Sequence, residues 1–347
     1  MMMSFDIKRA MDITSRFGHL QADQAEAVMH QIMNGEATDA QVGAYLMALR
    51  MKGETRSEIT GSARAMRANA TVIPCKTDPA RLLDTCGTGG DRSGTFNIST
   101  AVAFVAAGAG VPVAKHGNRA ATSKCGSADV LAELGVNLDL APERVGQCID
   151  EIGIGFLFAP KLHPAMRHAI GPRKELGIRT IFNILGPLTN PAGAQRQLMG
   201  VFAPDLGPFL AGVFSDLGAE SALVVSGYGG LDELTVTGPN QVSHYRAGTI
   251  ETYELNPEDY GFRGAHISEL LGGDAPQNAA ILRGVLSGEI RDAKRDVVLL
   301  NGGAALLAAG LVEDLREGIT RARESIDEGL ALEKLRALVS YSQEIGA

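Results

Sequence analysis

The first seventy residues repeat their apolar positions at helical spacing. Ile7, Ala10, Met11, Thr14 and Phe17 make one stripe, and Ala25, Val28, Met29, Ile32 and Met33 make a second. Gly35 stands where the second helix should stop. Thr38 or Asp39 can cap a third helix carrying Val42, Tyr45, Leu46 and Leu49, and a fourth is expected from Ser57 toward Ala70. Nine of the eleven methionines fall at or before Met66, but only five of the 42 glycines do. Methionine without glycine reads as filling between packed helices rather than as a metal or redox site. Residues 1–72 are therefore expected to form a small helical domain that ends in the linker Thr71-Val72-Ile73-Pro74.

From Leu82 the pattern changes to short apolar runs alternating with helix-length amphipathic segments, the signature of βαβ units. Leu82-Leu83-Asp84, Val111-Pro112-Val113-Ala114, Gly155-Phe156-Leu157-Phe158 and Ala222-Leu223-Val224-Val225 read as strands. Helices are expected from Ser99, from Ser127 as a cap through Leu134, and from Pro142. Further helices are expected between His163 and Leu185 with an interruption at Pro172, over Asn278–Leu286 and over Asp292–Ala309. Thr235 to Tyr253 alternates like a hairpin. The fold class is thus α/β: a small N-terminal helical domain plus a larger α/β domain with a mainly parallel central sheet.

Composition narrows the partners. The 347 residues carry 32 Lys+Arg against 40 Asp+Glu, a formal charge of −8, with no Trp and only 5% aromatics. An acidic, aromatic-poor chain argues against a general nucleic-acid surface and for a small-molecule partner. Met1 to Arg16 contains Asp6, Lys8, Arg9 and Asp12 and so offers no signal-peptide core. The charge-free stretch Ala101–Ala114 is too short to span a membrane. Cys75, Cys86, Cys125 and Cys148 lack CxxC spacing and read as reduced thiols, so a cytoplasmic location is expected.

Two loops carry the chemistry. Asp84-Thr85-Cys86-Gly87-Thr88-Gly89-Gly90-Asp91 lies between a strand and a helix, and its glycines let backbone N–H groups approach an anion. It is neither a Walker loop nor the Rossmann pattern, which would need glycine where Arg92 stands, and a plain glycine-rich turn would look the same. Asn97-Ile98-Ser99-Thr100 then opens an apolar helix, whose positive end binds phosphate without a further cation. The next strand delivers Lys115-His116-Gly117-Asn118-Arg119, followed by Thr122, Ser123, Lys124 and Ser127. Two such loops at the carboxyl edge of one parallel sheet fit a ligand with several phosphates. Asp232-Glu233 follows a flexible Gly227-Tyr228-Gly229-Gly230, and in a phosphate-binding protein it points to Mg²⁺. Arg173 is suited to clamp a carboxylate, and His163 and His168 are weaker candidates for proton transfer.

Taken together, these motifs resemble the anthranilate phosphoribosyltransferase family over nearly the whole chain. The resemblance rests on Asp84–Asp91, Asn97–Thr100, Lys115–Ala120 with Ser123–Asp129, and Arg173–Leu176 with Arg179-Thr180-Ile181-Phe182-Asn183. Gly186-Pro187-Leu188-Thr189-Asn190-Pro191 and Asp232-Glu233-Leu234 complete it. It implies a phosphoribosyl pyrophosphate site of Gly87, Gly90, Asp91, Thr95, Asn97, Ile98, Ser99, Thr100, Lys115, His116, Gly117, Asn118, Arg119, Ala120, Ala121, Thr122, Ser123 and Ser127. It further implies anthranilate contacts from Gly87, Asn118, His163 and Arg173, and Mg²⁺ ligands Ser99, Asp232 and Glu233. The family organisation implies that about 163–190 joins residues 1–72 in space, that 73–162 and 191–347 form the phosphoribosyl-binding domain, and that a homodimer forms through the helical domain. Cys86, Ala121-Thr122 and Cys125 depart from the pattern without removing a charged group.

The implied activity is transfer of the phosphoribosyl group to the amine of anthranilate in tryptophan biosynthesis, with no nucleic-acid or membrane partner. Pyrimidine nucleoside phosphorylases share the architecture but lack the pairing with the Arg173 segment. A non-enzymatic nucleic-acid-binding relative should show a basic face and a damaged acidic motif, whereas this chain is acidic and keeps Asp232-Glu233.

Overall fold

Each of the four N-terminal helices follows from a cap and an apolar stripe. The computed structural model describes residues 5–91, 93–120 and 124–346. In it α1 (Ile7–Ser15) is capped by Asp6, α2 spans Ala22–Met33, and α3 (Asp39–Lys52) is capped by Thr38 with Gln41 reciprocating. α4 (Arg56–Ala68) uses the same box, Thr55 with Glu58. Gly35 ends the second helix in the left-handed region, at φ +74°. Phe17 departs from the expected stripe: it lies beyond α1, at φ 61° and 61% exposed. The chain turns there because Gly18 packs on Ile13, 2.7 Å from where a Cβ would stand. Gly61 lets α4 cross α2, since a Cβ there would fall 1.9 Å from the Ala22 carbonyl oxygen.

Seven strands form one sheet in the order β3-β2-β1-β4-β5-β6-β7. They are β1 (Leu83–Thr85), β2 (Val113–Gly117), β3 (Ile154–Phe158), β4 (Arg196–Gly200), β5 (Ser221–Ser226), β6 (Asn240–Arg246) and β7 (Thr249–Leu255). The first five pair in parallel, and β6 pairs antiparallel with both β5 and β7. β4 escaped the pattern reading because its sequence, Arg-Gln-Leu-Met-Gly, has no apolar run. It is a strand because β1 and β5 pair with it on both sides, and the Arg196 guanidinium is held at 2.7 Å by the Ala80 carbonyl. The alternating residue 235–253 stretch contributes its hairpin only from Asn240 onward.

The connections are α5 (Ile98–Gly108), α6 (Ser127–Glu133), α7 (Pro142–Ile152), α8 (Ala159–Leu162), α9 (Arg167–Leu176), α10 (Phe182–Leu185) and α11 (Leu206–Asp216). After the sheet come α12 (Ala275–Leu286), α13 (Ala293–Ala308), α14 (Leu315–Asp327) and α15 (Leu330–Glu344). α9 runs through Pro172 instead of breaking at it. The lost backbone hydrogen bond is offset by packing, because Ala169 and Pro172 are both buried and α9 lies against α2 and α3. Ser127 is the first helical residue of α6 and not its cap; Gly126 holds that position. No helix among the described residues is long and apolar enough to cross a membrane.

Strand alternation divides the sheet residues between two cores. Leu198, Leu223 and Val225 face a core built with α5, α12, α13, α14 and α15. Met199, Ala222 and Val224 face the other way, into a core shared with the N-terminal helices, α11, Ala169, Ile181, Phe182, Leu185 and Leu188. Polar ties run across the same junction. Arg56 makes two 2.6 Å bonds to Asp216, and Arg67 donates to the Leu188 carbonyl at 2.7 Å.

Glu58 is fully buried and holds three donors: Leu20 N–H at 2.9 Å, Thr55 N–H at 2.8 Å and the buried Lys52 ammonium at 2.7 Å. Glu58→Ala would leave that ammonium and two N–H groups without their acceptor. The expected cost is ~3–5 kcal/mol in unfolding free energy by urea titration. A loss below about 1 kcal/mol would mean that water replaces the carboxylate at little cost.

Candidate active site

The carboxyl ends of β1, β2, β4 and β5 meet where the strand order reverses about β1, with β2 on one side and β4 on the other. A cavity of about 520 Å³ opens there. The loop after β1 supplies Gly87, Gly90, Asp91 and Thr95 to its wall, and the start of α5 supplies Asn97, Ile98, Ser99 and Thr100. β2 and its following loop bring Lys115, His116, Gly117 and Asn118; α6 brings Ser127; the loop after β5 brings Asp232 and Glu233. Three sequence-distant stretches, 87–100, 115–118 with Ser127, and 232–233, thus converge on one space. Arg119, Ala120, His163 and Arg173 do not line it, and Ala121, Thr122 and Ser123 lie outside the described residues.

The glycine loop and the acidic loop are interlocked. Gly89 N–H donates to Asp232 Oδ2 at 2.7 Å, Asp232 N–H donates to Asp91 Oδ2 at 3.3 Å, and Thr88 N–H donates to the Gly200 carbonyl at 2.9 Å. Gly200 ends β4 directly beneath Asp232: a Cβ there would sit 1.6 Å from the Asp232 carbonyl oxygen. Only glycine lets the acidic loop lie against the sheet edge.

The charges inside are strongly perturbed. Burial raises the Asp232 carboxyl well above its usual range, and Asp91 and Glu233 nearby add to this. Burial also pushes Glu233 up to about 7, against the pull of Lys115. Lys115 is lowered by its own burial, with Asp84, Cys86 and Glu233 opposing. Its ammonium donates to the Thr85 carbonyl at 2.7 Å and lies 3.4 Å from Ser99 Oγ. The first turn of α5 starts at Ile98, one residue earlier than the pattern indicated, and Ser99 N–H donates to Glu233 Oε1 at 3.2 Å. Thr100 Oγ1 is buried beside it without a hydrogen-bond partner. Adjacent buried carboxyls, with a hydroxyl at a helix start, are a hard-oxygen donor set suited to a divalent cation.

A different trio, Asp84, Cys86 and His116, brings its heteroatoms within 4.8 Å of one another. Its groups are already engaged. Asp84 accepts from His116 N–H at 3.1 Å and from Asn190 Nδ2 at 2.7 Å, and the Cys86 thiol donates to it at 3.4 Å. That trio is a structural hydrogen-bond cluster. His116 Nε2 also faces His163 Nε2 at 3.2 Å, and burial lowers the two rings to about 3 and about 4, with mutual repulsion adding to the effect on His116. Both imidazoles are therefore neutral at ordinary pH, one donating to the other. Arg173 lies outside the main cavity with its guanidinium 5.0 Å from the Phe182 ring centroid, and burial lowers its pKa.

One wall was missed by the motif reading. Leu271, Gly272, Gly273 and Asn278 line the cavity, and Asn278 Nδ2 bonds Asn97 Oδ1 at 2.9 Å. Gly272 N–H pairs with the Gly94 carbonyl at 2.9 Å. The available signal was the run Gly272-Gly273-Asp274-Ala275-Pro276, a glycine pair followed by a helix cap and an early proline. On the opposite side Asp129 shapes the loop after β2. Burial alone would raise its pKa, but the N–H groups of Ala120 and Gly126 and the Arg119 guanidinium bring it below the usual range.

Known proteins match this arrangement throughout. Residues 79–332 match the family model described as "Glycosyl transferase family, a/b domain", and residues 7–70 match "Glycosyl transferase family, helical bundle domain". The anthranilate phosphoribosyltransferase of Moorella thermoacetica is 54% identical over 329 residues, covering 95% of this chain and 96% of that one. The crystal structure of anthranilate phosphoribosyltransferase from Thermus thermophilus superposes with a TM-score of 0.91 at 45% identity, over 96% of this chain and 99% of that one. The Saccharomyces cerevisiae enzyme in complex with PRPP and Mg gives a TM-score of 0.88 at 28% identity, over 97% and 98% of the two chains. With the interlocked glycine and acidic loops at a parallel-sheet edge and a helical bundle packed beside them, the chain belongs to the anthranilate phosphoribosyltransferase family.

Proposed function

We infer that this site transfers the 5-phosphoribosyl group of phosphoribosyl pyrophosphate to the amine of anthranilate, releasing pyrophosphate. One observation carries the reading: the glycine loop, the start of α5, the Lys115 ammonium and the Asp232–Glu233 pair share one cavity in a chain of this family. A polyanion suits the backbone N–H groups and the ammonium, while the two acids suit the cation that such an anion carries.

Bond cleavage at the anomeric carbon puts negative charge on the leaving pyrophosphate and positive charge on the sugar. Lys115 and the amides of the glycine loop are fixed before the reaction, so they stabilise the leaving anion without reorganising. Mg²⁺ bound by Ser99, Asp232 and Glu233 would neutralise further charge on the pyrophosphate. Thr95, Asn97, Ile98, Thr100, Gly117 and Ser127 would cradle the phosphates, with Arg119 and Ala120 as further contacts. Gly87, Asn118, His163 and Arg173 would hold anthranilate, Arg173 by its carboxylate. An aryl amine is already nucleophilic, so a strong base is not required. That agrees with the neutral state of His116 and His163. Approach and orientation supply the remaining acceleration.

The helical domain would also carry a homodimer contact. Phe17 is 61% exposed, Met47 39% and Met51 65%, the large apolar side chains that this unit would offer a second copy.

Four measurements test this reading. Loss of anthranilate fluorescence should require phosphoribosyl pyrophosphate and Mg²⁺, release pyrophosphate one for one and stop with a chelator. Asp232→Asn should lower kcat/KM on the order of 100-fold and raise the Mg²⁺ concentration needed for half-maximal rate. A wild-type protein inert under these conditions would sink the assignment. Arg173→Ala should raise KM for anthranilate roughly tenfold or more and leave KM for phosphoribosyl pyrophosphate within about twofold; the reverse split would exchange the two subsites. Light scattering should give a dimer for the wild type and a monomer for Met51→Glu, and a wild-type monomer would refute the dimer.

A further inference from the structure

Arg179 stands outside the cavity lining and plays no part in the reaction described above. It leaves the segment between α9 and α10, just after Gly177, which turns the chain at φ +61°. The two residues that follow are anchored: Thr180 N–H is held by Asn183 Oδ1 at 3.0 Å, and Ile181 is fully buried against the helical core. From this fixed base the side chain crosses to the β4 end of the sheet. Its guanidinium lies 3.8 Å from the centroid of the Phe202 ring, a close cation–π contact, and Nη2 donates to the Gly90 carbonyl in the glycine loop.

At its turn the glycine loop has no side chain with which to hold that shape. Gly89 and Gly90 both lie in the left-handed region, at φ +67° and +77°, and a Cβ on Gly90 would stand 3.0 Å from Arg179 Nη2. The loop is instead held from outside. On one side Gly89 N–H is bound by Asp232; on the other the Gly90 carbonyl is bound by Arg179. The Gly89–Gly90 pair is thus gripped on both sides, at the N–H that enters it and at the carbonyl that leaves it, by two different elements. One carries the acidic pair, and the other carries Arg173 six residues upstream.

We propose that Arg179 is a positioning residue for the known reaction: clamped on Phe202, it fixes the Gly89–Gly90 turn in its anion-ready shape and ties it to the segment bearing Arg173. The proposal rests on the reading of this cavity as the phosphoribosyl pyrophosphate site. Arg179 then acts on the pyrophosphate side of the reaction from a segment that belongs to the anthranilate side. A guanidinium is suited to this because its planar fork stacks on the ring while a nitrogen still donates, which an ammonium on a flexible stem does less well. The same bridge couples the subsites energetically, because ordering the loop for one ligand prepares it for the other.

The test uses full-length protein and the fluorescence assay, with variants Arg179→Met, Arg179→Lys and Phe202→Leu. Arg179→Met should raise KM for phosphoribosyl pyrophosphate about tenfold and lower kcat several-fold, with KM for anthranilate moving less. Arg179→Lys should recover part of the loss. Phe202→Leu should shift the same constants in the same direction, and the Arg179→Met/Phe202→Leu double variant should be no worse than Arg179→Met alone. Circular dichroism and thermal melts of each variant report the folded fraction, to which the constants are normalised. Constants for Arg179→Met within twofold of wild type, or a loss that disappears on this normalisation, would overturn the proposal. Additive losses in the double variant would overturn the clamp on Phe202. Wild-type protein that binds neither phosphoribosyl pyrophosphate nor anthranilate would instead refute the site reading on which the proposal rests.

Discussion

The site depends on one buried carboxylate. Asp84 sits on β1, the strand at which the sheet order reverses, and is fully enclosed. Burial raises its pKa, and the Lys115 ammonium, Asn190 and the His116 N–H oppose that shift. A charge in that place is tolerable only if its oxygens are bonded. Each bond ties down a different piece of the site. His116 N–H fixes the end of β2, where Lys115 and the basic loop begin. Asn190 Nδ2 reaches both Asp84 and the Ala114 carbonyl, at 2.7 and 2.8 Å, and so moors the segment that carries Arg173 and Arg179 to the middle of the sheet.

A second constraint is close backbone approach. The acidic loop lies against the β4 edge because Gly200 has no side chain, and the glycine loop lies against the acidic loop because Gly87 has none. These contacts bring carboxylates closer than water-exposed acids would settle. The unfavourable charge accumulated there is retained because every buried partner is fixed by something else: Glu233 by the start of α5, Asp232 by Gly89, Lys115 by Thr85. The resulting field is suited to a metal-carrying polyanion rather than to water.

The helical unit is part of the same body. Its core continues through Ile181, Phe182 and Leu185 onto one face of β4 and β5, and Arg56 and Arg67 seal the edge of the junction. Apolar continuity of this kind resists independent motion of the helices.

Local patterns in the sequence were sufficient for the elements that stabilise themselves locally. Helical stripes with Thr38 and its neighbours as caps, apolar strand runs, and glycine or basic loops at strand ends are all determined within a few residues, and they were legible together with the motifs that mark the family. Tertiary structure decided the rest. β4 is polar at its start and becomes a strand only because two neighbours pair with it. Pro172 remains helical because α9 is packed. The Leu271–Gly273 wall joins the cavity through contacts with Gly94 and Asn97 nearly two hundred residues earlier in the chain. Arg179 stands in one of the motifs that mark the family, but its place on Phe202 and against Gly90 is decided only by the fold. Sequence periodicity reports how a segment satisfies its own backbone and hides its own apolar face; which distant groups then satisfy one another is settled only when the chain closes on itself.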